Sequence, residues 1–151
     1  MSTSAPRPRY TGLFRHSLDE KNRLTIPSGW RVAHTDEDDF VALPHPDGYI
    51  AVLPPAEVDR LYEKSAAMNL SDSEAQDVLT RLFAYAQTLR FDKQGRINLA
   101  PELLQHAAIG KEAVLAGSLA KFAIWSPERW DEKNRRMDSQ TYRDLMRNAG
   151  I

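Results

Sequence analysis

The chain contains no cysteine. Disulfides, thiolate metal sites and cysteine nucleophiles are therefore excluded, and a reducing, cytoplasmic setting is the expectation. No apolar run approaches the ~20 residues a helix needs to cross a bilayer, so no membrane contact is expected. The opening segment, Met1 to Arg9, is polar and proline-containing, without the apolar centre of a secretory signal. Charge of one sign is also scarce: 20 basic and 21 acidic side chains leave a formal net charge of -1 over 151 residues. Overall basicity thus gives no support to polyanion binding. The distribution is uneven, however. Up to Ala33, Arg7, Arg9, Arg15, Lys21, Arg23 and Arg31 face only Asp19 and Glu20, after which Asp36, Glu37, Asp38 and Asp39 follow together. The four histidines, His16, His34, His45 and His106, are scattered without metal-ligand spacing. Neither a glycine-rich phosphate loop nor a serine elbow occurs, so no catalysis, cofactor or small-molecule substrate is expected. His16 reads as a packed strand residue and His45, between prolines, as a solvated turn residue.

What is present is a repeat. A shift of 73 residues lays Leu18-Asp19-Glu20-Lys21-Asn22-Arg23-Leu24-Thr25-Ile26-Pro27 over Phe91-Asp92-Lys93-Gln94-Gly95-Arg96-Ile97-Asn98-Leu99-Ala100. The same shift sets Val41 on Val114, Tyr49 on Phe122 and Pro54 on Pro127. In each copy Asp-x-x-(Asn/Gly)-Arg reads as a turn, with the aspartate bonding its own backbone and Gly95 or Asn22 taking the left-handed position. Arg23 to Ile26 and Arg96 to Leu99 alternate polar and apolar, as half-buried strands do. Pro101 to Ala107 reads as a short helix with proline in its first turn. Phe40 to Leu43, Tyr49 to Leu53, Ala113 to Ala116 and Lys121 to Trp125 read as strands, with Asp47-Gly48 as a hairpin turn.

Between the copies, a helix is expected over Ala56 to Met68. A second starts at Ser71, with Ser71 and Glu74 at capping-box spacing and a stripe of Ala75, Val78, Leu79, Leu82, Phe83, Ala86 and Leu89. Glu128 to Asn148 reads as a further helical stretch. Neither copy alone is large enough to bury a stable core, so the copies should pack on each other. The fold class expected is α+β and β-rich, a pseudo-twofold β-barrel with helices outside. The division is a flexible tail over 1–9, whose Arg7 and Arg9 read either as phosphate contacts or, as in most such tails, as simply solvated, a first unit over 10–56, connecting helices over 57–89, a second unit over 90–133 and a helical tail over 134–151.

At Asp19-Glu20-Lys21-Asn22-Arg23-Leu24-Thr25-Ile26-Pro27 the chain resembles the MraZ family, whose members have two AbrB-like half-barrels. Tyr10-Thr11-Gly12, His16-Ser17-Leu18, Arg31, Asp92-Lys93-Gln94-Gly95-Arg96 and Phe122-Ala123-Ile124-Trp125-Ser126-Pro127-Glu128-Arg129-Trp130 carry the likeness further, over about Tyr10 to Lys133. It departs at Asn22, where the family has glycine, at Ala100, where it has proline, at Pro44-His45-Pro46 and in a longer extension before Tyr10. The resemblance implies a double-split β-barrel and a ring of many subunits. It implies sequence-specific binding of double-stranded DNA at short direct repeats upstream of the protein's own division and cell-wall operon. The operon would be regulated, usually repressed, by a nucleoid-associated protein.

On that reading Arg23 and Arg96 are the main DNA contacts, since a guanidinium bonds bidentately to guanine or phosphate. Lys21 and Lys93 support them with phosphate charge, and Arg15 and Arg31 are weaker candidates. Asp19, Asp92, Asn22 and Gly95 organise the turns. The bland alternative is that Asp19–Arg23 and Asp92–Arg96 are plain surface ion pairs. The rival class is a protein-interaction module using the helices over 56–89 and the C-terminal stretch, with Trp125 in the core or, with Trp130, at an interface.

Overall fold

The computed structural model describes residues 7–68 and 71–151; of the tail expected over 1–9, residues 1–6 lie outside the described residues. The elements run β1 (Leu13–Ser17), β2 (Arg23–Thr25), α1 (Ser28–Arg31), β3 (Phe40–His45), β4 (Tyr49–Leu53), α2 (Pro55–Ala66) and α3 (Ser73–Ala84). They continue as β5 (Gln87–Leu89), β6 (Arg96–Asn98), α4 (Pro101–His106), β7 (Glu112–Gly117), β8 (Phe122–Trp125), α5 (Pro127–Arg135) and α6 (Ser139–Asn148). The class is mixed α+β. Six strands form one sheet in the order β1-β7-β8-β4-β3-β5, and β2 with β6 forms a separate two-stranded ribbon; every pairing is antiparallel.

The central strands are apolar without interruption because both faces of the sheet are covered. Ile50 and Val52 of β4, Leu115 of β7, and Phe122 and Ile124 of β8 point into the main core. There they meet Leu24 and Ile26 from the ribbon strand β2 and Ile97 and Leu99 from β6, with Trp30 of α1 and Leu103 and Leu104 of α4. On the other face, Leu43, Ala51 and Leu53 take Val58 and Leu61 of α2 and Leu82 and Phe83 of α3. Val114, Ala116, Ala123 and Trp125 take Trp130 of α5. Residues of opposite parity along a strand thus enter different cores, as the two-residue strand period requires.

The repeat appears as interleaving rather than as two side-by-side units. β1 pairs with β7 of the other copy, and its equivalent β5 pairs with β3; β4 meets β8, and β2 meets β6. The equivalence extends to single bonds. Ile26 N–H donates to Gly95 O at 3.0 Å, and Leu99 N–H donates to Asn22 O at 3.0 Å. Each copy therefore completes the other's ladder, which is how a repeat of this size gains a sufficient core.

Four expectations need correction. The cap of α3 is Asp72, whose side chain accepts from Ala75 N–H, rather than Ser71. The helix stops at Ala84, and Leu89, placed on its stripe by spacing, belongs to β5 opposite Phe40. The C-terminal stretch is two helices, broken after Arg135 and restarted by Asp138, which accepts from Gln140 N–H. His45 is not a solvated turn residue: it ends β3, its ring stacks on Tyr49 at 4.2 Å, and burial lowers its pKa. Ala100 in place of proline is compensated locally, since the N–H that proline lacks donates to Gln87 Oε1 at 2.8 Å.

Candidate nucleic-acid interface

The two Asp-x-x-x-Arg turns lead into the ribbon strands and share one bonding pattern. Asp19 Oδ1 accepts from Lys21 N–H at 2.9 Å and Arg23 N–H at 2.8 Å, while Oδ2 takes Arg23 Nε at 2.6 Å. Asp92 Oδ1 accepts from Gln94 N–H and Arg96 N–H, both at 2.9 Å, and Oδ2 takes Arg96 Nε at 2.8 Å. The Arg23 backbone N–H, against burial and aided by the Arg23 guanidinium, holds the Asp19 carboxyl below its ordinary pKa. Burial pushes Asp92 up, but Arg96 and Gln94 together hold it down. Both aspartates are thus ionised acceptors near neutrality, and each fixes the backbone and guanidinium of its own turn. The left-handed position is Asn22 at φ 60 in one turn and Gly95 at φ 74 in the other.

In the ribbon, Leu24 pairs with Ile97 and both face the core, so the alternate residues face outward: Arg23 opposite Asn98, and Thr25 opposite Arg96. Thr25 and Asn98 are exposed, and Arg23 and Arg96 are half-buried. Lys21 and Lys93 stand exposed in the flanking turns. The two arginines share this face: Arg96 Nη1 lies 3.7 Å from Asp19 Oδ2 of the other turn. They differ in what is left over. Arg96 Nη2 is taken by Gln94 Oε1 at 2.7 Å. Among the described residues no partner takes either Nη of Arg23.

Arg31 joins this cluster and Arg15 does not. Arg31 lies across the second turn, close enough that a Cβ on Gly95 would sit 2.3 Å from its Nη1, and its Nε donates to Ile26 O at 3.0 Å. Arg15, on β1, turns to α5 and pairs with Asp131 at 3.1 Å. Gln94, Thr25 and Asn98 were missed by sequence reasoning. Only the alternation of the ribbon strands signals Thr25 and Asn98, and nothing local signals the Gln94–Arg96 bond.

Gly95→Ala should therefore destabilise the fold by about 1–3 kcal/mol, from left-handed backbone strain and the displaced Arg31–Ile26 bond. Asn22→Gly should be neutral or mildly stabilising. Thermal unfolding of both variants checks this; an unchanged midpoint for Gly95→Ala refutes it.

A second polar cluster lies away from the ribbon. Tyr10 is fully buried, and burial followed by the charge of Asp38 raises its pKa, so the phenol keeps its proton and donates to His34 Nε2. His34 Nδ1–H then donates to Asp38 at 2.9 Å. The His34 ring packs against Phe40 at 4.7 Å.

Comparison with known proteins places the chain among relatives. The family model of the MraZ protein matches residues 82–146, which include the second turn and the β7–β8 hairpin. A protein of Thermomicrobium roseum called Transcriptional regulator MraZ is 36% identical over 121 residues, 80% of this chain and 84% of the relative. A Clostridium acetobutylicum protein of the same name is 33% identical over 143 residues, 94% of this chain and 99% of its own. A Heliobacterium modesticaldum one is 36% identical over 125 residues, 83% and 86%. With 33–36% identity over 80–94% of this chain and 84–99% of these relatives, the chain belongs to the MraZ family.

Proposed function

We propose that this protein is a transcriptional regulator that reads duplex DNA with the outer face of the β2–β6 ribbon. The observation that carries the reading is that face itself: Arg23, Thr25, Arg96 and Asn98 side by side, with Lys21 and Lys93 at its ends. A two-stranded ribbon fits the major groove. Arginine suits guanine O6 and N7, asparagine suits adenine, and threonine suits either a base edge or a thymine methyl. The carboxylate holding each Nε leaves less side-chain freedom to be lost on binding. Arg23, with both Nη groups free among the described residues, is the principal reader. Arg96, further tied by Gln94 and Asp19, contributes less. Arg15 is assigned no DNA contact.

The family name of the relatives supports regulation of transcription, and the finer reading follows the resemblance. The interleaved copies form a double-split β-barrel divided as the repeat divides the sequence. Subunits assemble in a ring, and the ring grips short direct repeats upstream of its own division and cell-wall operon, repressing it on the nucleoid. Assembly has physical support. The ten-residue helix α6 buries none of its side chains, although Tyr142 and Leu145 align on one face. An isolated helix of that length is marginal in water. Tyr62, Val78 and Tyr85 leave a second apolar surface around α2 and α3. A second copy joining α6 to that surface buries both, and such a head-to-tail contact gives a ring where its rotation closes.

The test is footprinting of the DNA upstream of the gene across a salt series. Protected direct repeats are expected, with log K falling by ~0.9 per neutralised phosphate against log salt. Equal protection of scrambled DNA would remove the specific-reader proposal.

A further inference from the structure

The basic side chains outside the ribbon include a pair held in an unusual way. Arg7 and Arg9 flank Pro8 and are exposed, and among the described residues neither has an ion-pair partner. Of the acidic run over 36–39, Asp38 bonds His34 and Thr35, and Asp39 pairs with Arg90 at 2.6 Å. The chain that follows is fixed where it enters the fold. Tyr10 exchanges both backbone bonds with Leu119 at 2.9 Å, its phenol is held by His34, and Thr11 O accepts from Trp30 Nε1 at 2.9 Å. A Cβ on Gly117 would lie 2.3 Å from Tyr10 O, so even the crossing strand is cut back for this passage. From that anchor the arm lies along α1, bordering a cleft of about 280 Å³ with Gly29, Val32 and Ala33. Arg31, at the end of the same one-turn helix, reaches the Gly95 turn. Both the arm and the second basic turn therefore flank α1.

We propose that Arg7 and Arg9 form a pinned arm that contacts the phosphate backbone of the DNA bound by the ribbon. This rests on the DNA-reading proposal above and adds a site to it. Guanidinium groups suit phosphate oxygens bidentately. Pro8 restricts the backbone between them, and the Tyr10 anchor fixes where the arm leaves the fold, so less freedom is lost on binding than from a free tail. The contact carries no sequence information, as backbone contacts position a protein without specifying bases. The ribbon supplies discrimination and the arm supplies affinity.

The test compares the full-length protein with its Arg7→Ala/Arg9→Ala and Arg7→Lys/Arg9→Lys variants. Fluorescence anisotropy is read on the upstream duplex and on a scrambled duplex over a salt series. The alanine pair should weaken binding to both duplexes by the same factor, about three- to tenfold at moderate salt, and flatten the log–log salt slope by ~1–2. The lysine pair should restore most of both. Unchanged affinity and slope for the alanine pair, with the parent still discriminating, would show the arm to be merely solvated. A loss confined to the upstream duplex would overturn the phosphate assignment in favour of base reading. A parent that binds neither duplex would instead remove the DNA proposal on which the arm depends.

Discussion

Arg23→Ala is expected to abolish discrimination between the upstream repeats and scrambled DNA while leaving the fold in place. A bidentate arginine–guanine contact is worth about 1–3 kcal/mol of discrimination, or roughly 5–150-fold, at each engaged subunit. Several subunits engaging successive repeats would compound that loss beyond ~100-fold for the whole site. The turn itself should survive, because Asp19 Oδ1 still accepts from the Lys21 and Arg23 backbone N–H groups. Unfolding should therefore shift by no more than a few degrees. Arg96→Ala should weaken binding less, since Gln94 and Asp19 already claim part of that guanidinium. Footprinting and thermal unfolding on the same preparations separate the two effects. An undiminished footprint for Arg23→Ala would return Asp19–Arg23 to the status of an ordinary surface ion pair.

The turns were legible in the sequence because their bonding is local. An aspartate that accepts from residues two and four positions on, with a left-handed residue before the arginine, needs nothing distant. The apolar alternation of Leu24 with Ile26 and of Ile97 with Leu99 similarly announced which ribbon face is buried. What escaped was decided by partners far away in the chain. Leu82, Phe83, Ala86 and Leu89 continue one helical spacing, yet Leu89 leaves the helix because Phe40 offers a strand partner. No local pattern says that β1 pairs across to β7, or that Tyr10 finds His34. The capping error at Ser71 is smaller in kind: two adjacent capping residues compete, and Asp72 reaches the Ala75 N–H.

The candidate site shows the same division. The sequence set Arg23 and Arg96 above Lys21 and Lys93, and Arg15 and Arg31 below them, but it did not separate Arg23 from Arg96 by their partners, nor Arg31 from Arg15. That separation comes from geometry: Gln94 occupies one end of Arg96, Arg31 lies over Gly95, and Arg15 is drawn to Asp131. A chain of nearly balanced charge thereby carries a positive excess around the ribbon.

Leu145→Glu should have the second large effect, through assembly rather than through the ribbon. Leu145 is 62% exposed and Tyr142 51%, on a helix that buries none of its side chains within its own subunit. If a second copy covers that face, a glutamate there is buried without a partner, and the contact is lost. Light scattering coupled to size exclusion should then report single subunits in place of a large assembly. The DNA readout should divide by target. Affinity for a duplex with one repeat should hardly change, because the ribbon lies on the opposite side of the sheet core from the helical layer. Affinity for the full array should fall by ~10²–10⁴, the range that linked contacts add without any new interaction. A variant that stays assembled and binds the array normally would show that α6 is not the subunit contact. A parent that is itself a single subunit would remove multiplicity as the source of affinity and leave the ribbon and its arm to account for all of it.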